Sequence, residues 1–189
     1  MELHPRREGD ALLVRYELTN DFGEDLFLCN LIPDDFGLDP STPRRRRGRP
    51  PITSALAYAC HRPPDEVVFF QGRVLEPRDF DGTAPVVPFF TRVAPGATFA
   101  ATFRAGIPLR EWHPYARPGA GEARPALVER LTFRLGYVLR SRSTYLREPP
   151  EHPGAFIVRE YPMPVLERSL PLDAPVPMEV RTSGFTRFA

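Results

Sequence analysis

Few residues in this chain are suited to chemistry. Cys60 and His61 are adjacent, and His113 sits in a Pro-rich stretch between Trp112 and Pro114. A thiol with an imidazole is the raw material of a nucleophile–base pair or of a metal site. On a strand, however, neighbouring side chains point to opposite faces, which works against Cys60 and His61 sharing one ligand. A site built from Cys60, His61 and His113 therefore needs the fold to bring distant segments together. The four histidines never form H-x-x-x-H, and G-x-S-x-G is absent. There is no lysine: all 25 basic residues are arginine. Schiff-base chemistry, a Lys-activated serine and a P-loop lysine are excluded. With no complete catalytic constellation, the sequence points away from an enzyme and implies no cofactor.

A second cluster is electrostatic. Arg44, Arg45, Arg46, Arg47, Gly48, Arg49, Pro50 and Pro51 run consecutively. The core Arg47-Gly48-Arg49-Pro50 is similar to the AT-hook, an extended segment that lies in the minor groove of A·T-rich DNA. The resemblance implies Arg side chains drawn into a narrow groove of enhanced negative potential. Gly lets the backbone approach the groove floor, and Pro keeps the chain extended. The other reading is a solvated basic loop balanced by Asp34, Asp35 and Asp39.

A third motif, Asp79-Phe80-Asp81-Gly82-Thr83, resembles the first motif of haloacid dehalogenase phosphatases, D-x-D-G-T. That family needs an apolar strand before the first Asp, and Glu76-Pro77-Arg78 cannot supply one. No later acidic pair provides metal ligands, so the segment reads as a polar turn.

The scaffold that must position these residues is set by composition. The chain has 189 residues, 42% of them hydrophobic and 26% charged, enough to bury a core. It contains 24 prolines and 13 glycines. Proline breaks helix interiors and central strands, so long helices are hard to place. The formal net charge of +1 gives no general attraction to nucleic acid or membrane. No apolar run is long enough to span a bilayer, and the N-terminus lacks the apolar core of a secretory signal, so no membrane partner and a cytoplasmic location are expected. Cys29 and Cys60 are then expected to be reduced.

The apolar rhythm is that of strands. Leu12, Val14, Tyr16 and Leu18 alternate with polar residues over Ala11 to Thr19. Asn20 to Glu24 is turn-like, and Leu26 to Ile32 reads as the returning strand of a hairpin. Ile52 to Cys60 suits a short helix through Ala55, Ala57 and Ala59 or a strand through Ile52, Leu56 and Tyr58, and its strand neighbours favour the strand; Val67 to Leu75, Phe99 to Ala105 and Leu127 to Arg142 also read as strands. So do Ala155 to Glu160 and Val165 to Leu170, with Met178 to Thr182 as a last edge strand. Glu76 to Pro88 reads as irregular, and Ile107 to Pro125 as an extended surface crossover. Short strands between turn signals predict an all-β sandwich, one domain over residues 1–189, with long Pro-rich loops and little helix.

Two short motifs add to this. Leu18-Thr19-Asn20 on the first strand and Val93-Ala94-Pro95-Gly96 before a later one resemble bacterial immunoglobulin-like and fibronectin-type sandwich domains. The resemblance implies fold rather than function. It departs from antibody domains, because Trp112 lies well after both cysteines.

The expected function is a non-enzymatic binding or protein-interaction module with a protein partner or self-association. Trp112, His113 and Tyr115 form a possible interaction surface, since Trp and Tyr bury much area at low entropic cost. The alternatives are A·T-rich DNA binding through Arg44 to Pro50, and a metal protein or enzyme using Cys60, His61 and His113. The DNA alternative expects the fluorescence anisotropy of an A·T-rich duplex to rise with added protein at low salt. Arg47→Ala/Arg49→Ala should abolish that rise; equal binding by the double variant ends the alternative.

Overall fold

Alternating side chains make strands throughout the computed structural model, which describes residues 1–33, 51–74, 88–112, 123–159 and 163–181. The first small sheet is built from β1 (Glu2–Glu8), β2 (Ala11–Thr19) and β8 (Thr98–Gly106), in the order β1-β2-β8. All its pairings are antiparallel, with Leu3 opposite Tyr16 and Tyr16 opposite Ala101. The apolar set Leu12, Val14, Tyr16 and Leu18 is buried, as the alternation requires.

The second sheet has ten strands: β3 (Leu26–Pro33), β4 (Ile52–Thr53), β5 (Tyr58–Arg62), β6 (Glu66–Gln71), β7 (Phe89–Val93), β9 (Leu109–Arg110), β10 (Ala123–Leu139), β11 (Tyr145–Arg147), β12 (Ala155–Arg159) and β13 (Val165–Arg181). β10 is its spine, pairing β13 and β3 antiparallel and β6 parallel. The only helix among the described residues is a single 3-10 turn, Arg140–Arg142. The protein is therefore an all-β, two-sheet, sandwich-like fold.

Three expectations are corrected. β3 is a strand but does not return beside β2; it joins β7 and β10 in the other sheet. The hairpin partner of β2 is β1, linked through Gly9 in the left-handed region. Its Pro5 and run of charges hid the strand, because a charged edge strand carries little apolar alternation. The stretch from Ile107 is not only a surface crossover. Leu109 is buried on β9, which pairs parallel with β13, and the backbone of Trp112 exchanges hydrogen bonds with Ala59 on β5. The pairing path β5-β6-β10-β13-β9 thus closes on β5. Finally, Val165–Leu170 and Met178–Val180 belong to one strand. Pro171, Pro175 and Pro177 do not end it: Pro175 falls where the register with β10 shifts, and Pro171 and Pro177 flank that irregularity opposite Arg130 and Leu127.

The sheets meet through aromatic rings. Tyr16 lies 4.8 Å from Phe133 on β10, and Phe103 lies 5.1 Å from Phe69 and 5.3 Å from Phe133. Leu26, Leu28, Val67, Leu131 and Leu135 complete the same core. The opposite face of the large sheet carries two smaller clusters, one around Phe27, Cys29, Phe90, Val138 and Val158, the other around Ile32, Tyr58, Phe70 and Val74.

The Leu18-Thr19-Asn20 and Val93-Ala94-Pro95-Gly96 motifs are joined by Asn20, which is fully buried. Its Nδ2 donates to the carbonyls of Glu24 and Val93, both at 2.8 Å, and its Oδ1 accepts from the Phe22 amide. Its carbonyl accepts from Gly96, and its amide donates to Ala97. Gly96 holds φ +72°, which a side chain disfavours. Asn20→Ala strands these buried groups and should cost about 2 kcal/mol in urea unfolding. A loss within error of zero would show that the knot is not structural.

Candidate functional site

The fold brings Cys60, His61 and Trp112 together. β5 carries Cys60 and His61, and the segment after β9 lays Trp112 along its outer edge, with Ala59 and Trp112 exchanging backbone bonds of 2.9 Å each way. The Trp112 ring packs on Tyr58, with centroids 4.9 Å apart. Glu111 accepts the His61 amide at 3.0 Å. The imidazole Nε2 of His61 is buried with no hydrogen-bond partner among the described residues. His113 and Tyr115 lie outside the described residues, as do Arg44 to Pro50 and the Asp79–Thr83 motif.

The chemistry available to Cys60 is limited by its surroundings. Burial pushes the thiol up to about 12, the Glu111 carboxylate adds to the effect, and Arg62 and Arg134 oppose it. A thiol held protonated at neutral pH is a poor nucleophile and a poor metal ligand. Cys29 is likewise free, buried, and shifted upward by burial. No group of three or more His, Cys, Asp or Glu side chains placed to hold a metal occurs among the described residues.

Beside Cys60 runs a hydroxyl–carboxylate ladder that sequence reading did not single out. Thr132, fully buried on β10, donates to the Glu66 carboxylate on β6, and Ser169 on β13 sits 2.5 Å from the Thr132 oxygen. The second Glu66 oxygen accepts from Arg62 at 3.0 Å. Glu66 is paired with an arginine, and Thr132 stands between it and Ser169, so among the described residues no carboxylate or imidazole bonds the Ser169 hydroxyl. The ladder stitches three strands. Its only sequence signal is that Thr132 and Ser169 are directly opposite, with Glu66 offset to the position opposite Arg130, which requires knowing the register.

A second buried polar group sits between the sheets. Tyr16 donates its hydroxyl to Gln71 Oε1 at 2.7 Å, and Gln71 Nε2 donates to the carbonyls of Ser54 and Leu56. Burial raises the Tyr16 phenol well above its ordinary range. Every Gln71 polar atom has a partner, so this group anchors the chain around β4 and β5 and is not open to a ligand.

The remaining feature is an edge. β8 borders the small sheet, and among the described residues no strand pairs with its far side. Thr98, Ala100 and Thr102 are exposed there, and Arg104 is the only charged residue of the strand. The opposite border, β1, is different. It carries Pro5, and Glu2, His4, Arg6, Arg7 and Glu8 surround it, with Arg6 paired to Glu8. Proline and charge are the usual means of blocking a sheet edge, and β8 has neither over Thr98 to Thr102.

No protein-family model matches the chain, and no curated protein or solved structure matches it either.

Two outcomes follow from the buried thiols. Both cysteines should resist aromatic disulfide reagents in the native protein at neutral pH and react fully on unfolding; rapid native reaction at Cys60 would contradict its burial. A thiol whose native pKa is raised keeps its proton longer in the folded state than in the unfolded chain. Stability therefore falls as pH climbs through the window from the ordinary thiol value near 9 to about 12. Cys29→Ala/Cys60→Ala should flatten that decline in urea midpoints measured across the window; an unchanged slope would assign it to other groups.

Proposed function

We propose that this protein is a non-enzymatic binding module, immunoglobulin-like in broad terms, that engages an extended polypeptide segment through the free edge of β8. One observation carries the reading: among the described residues, the small sheet has one edge guarded by proline and charge and one edge that no strand pairs. Unpaired backbone groups on a sheet edge are a template for strand addition, in which main-chain bonds supply affinity and side-chain pockets supply selectivity. Supporting it, the Glu66–Thr132–Ser169 and Tyr16–Gln71 groups hold strands together. The Asn20 knot between the two motif segments supports the immunoglobulin-like part. The free thiols of Cys29 and Cys60 support a reducing compartment, and with it the cytosol. No helix among the described residues is long and apolar enough to cross a membrane.

A photo-crosslinking amino acid placed at Ala100 should yield covalent polypeptide adducts in cells, the same chain included. The same group at Arg6 on β1 should yield few or none. Equal labelling at both positions, or no adduct at Ala100, would overturn the reading.

A further inference from the structure

We infer that the partner taken by the β8 edge is a second copy of this chain, paired antiparallel about a two-fold axis at Ala100. The inference rests on the reading of β8 as a binding edge and names its occupant.

The direction of the backbone groups is fixed at both ends of the strand. Ile107 donates its amide to Asp10, towards β2, whereas Arg104 donates to the carbonyl of Ala55, away from it. Backbone groups alternate sides along a strand, so Thr98, Ala100 and Thr102 present their amides and carbonyls to the open side. The open stretch ends at Arg104, whose amide is taken by Ala55. It begins after Gly96, whose amide is taken by Asn20. Its centre is Ala100.

A strand centred on one residue is self-complementary when turned about that residue. Ala100 meets Ala100 of the second copy and exchanges both backbone bonds with it. Thr98 meets Thr102 of the second copy, and Thr–Thr is a favourable cross-strand pair. On the inner face, half-buried Phe99 meets Ala101 of the second copy, so each ring gains cover from a small neighbour. Arg104, tied to Asp10 at 3.1 Å, lies beyond the paired stretch, and no like charges meet at the axis. The contact is isologous and closes at two copies, joining two three-stranded sheets into one. A foreign strand would need side chains to match. A second β8 already carries them.

The strand also offers a clean test. The Ala100 amide faces away from β2, so Ala100→Pro removes no bond within the sheet, and an edge strand tolerates proline at such a position. Sedimentation velocity on the purified full chain, over a micromolar concentration series, should show reversible conversion to a species of twice the chain mass. Ala100→Pro should weaken that association by roughly tenfold or more, since two backbone bonds at the axis are lost. Thermal melting of the variant, extrapolated to low concentration, should match the parent. Should that variant not fold, charge pairs read the register instead. Thr98→Lys/Thr102→Lys sets like charges across the axis and should abolish the dimer, whereas Thr98→Lys/Thr102→Glu sets opposite charges across it and should keep it.

A dimer indifferent to these substitutions overturns the inference. So does a chain that stays monomeric throughout the series. If a monomeric chain still gives Ala100 adducts with another polypeptide in cells, the binding edge stands and the occupant is not a second copy. If it gives none, both fall.

Discussion

The contact between the two sheets depends on satisfying one hydroxyl. Tyr16 packs against Phe133 in the middle of the sandwich, where its ring contributes most to burial and its oxygen is most costly to leave alone. Gln71 resolves the conflict by accepting the phenol proton, and its own amide must then find acceptors. It finds them in the carbonyls of Ser54 and Leu56, on the segment linking β4 to β5. A single buried oxygen thus ties the small sheet, the large sheet and the connection that delivers Tyr58, Cys60 and His61. Asn20 does the same at the sandwich end, where one side chain serves three backbone groups. Networks of this kind specify one arrangement because partial satisfaction is worse than none.

Of the residues that look chemical in the sequence, Cys60 is a buried part of the core. Cys60 and His61 lie on an edge strand along which the segment after β9 lays Trp112, bonded through its backbone to Ala59. The Glu66–Thr132–Ser169 row has the residue types of a proton relay but the wiring of a cross-strand stitch. Among the described residues, the His61 Nε2 and Asn30 Oδ1 atoms are buried without a partner, and the border of β8 carries unpaired backbone.

Much of the fold was legible from alternation. Ala11 to Thr19 appears as a strand with the expected residues inward, because a half-buried strand imprints its two faces directly on the sequence. The strand over Leu127 to Arg142 was visible for the same reason, though its start at Ala123 was hidden by Pro125 and by polar residues. Pairing was not legible. Leu26 to Ile32 is apolar at nearly every position because both faces of that strand are covered. Such a strand belongs in the middle of a large sheet, and proximity to β2 in the chain suggested a hairpin instead. The edge character of β8 escaped notice for a related reason, since an edge is defined by the neighbour that is missing, and sequence records only the residues that are present.

The pairing of β2 with β8 also has a consequence for synthesis. Thr19 and Thr98 are opposite each other, so the small sheet cannot be completed until Gly106 has left the ribosome. At ordinary elongation rates that interval is on the order of ten seconds. During it the hairpin of β1 and β2 carries Leu12, Val14, Tyr16 and Leu18 with nothing to cover them. The crowding of proline and charge on β1 guards the border of that early hairpin that no described strand later covers.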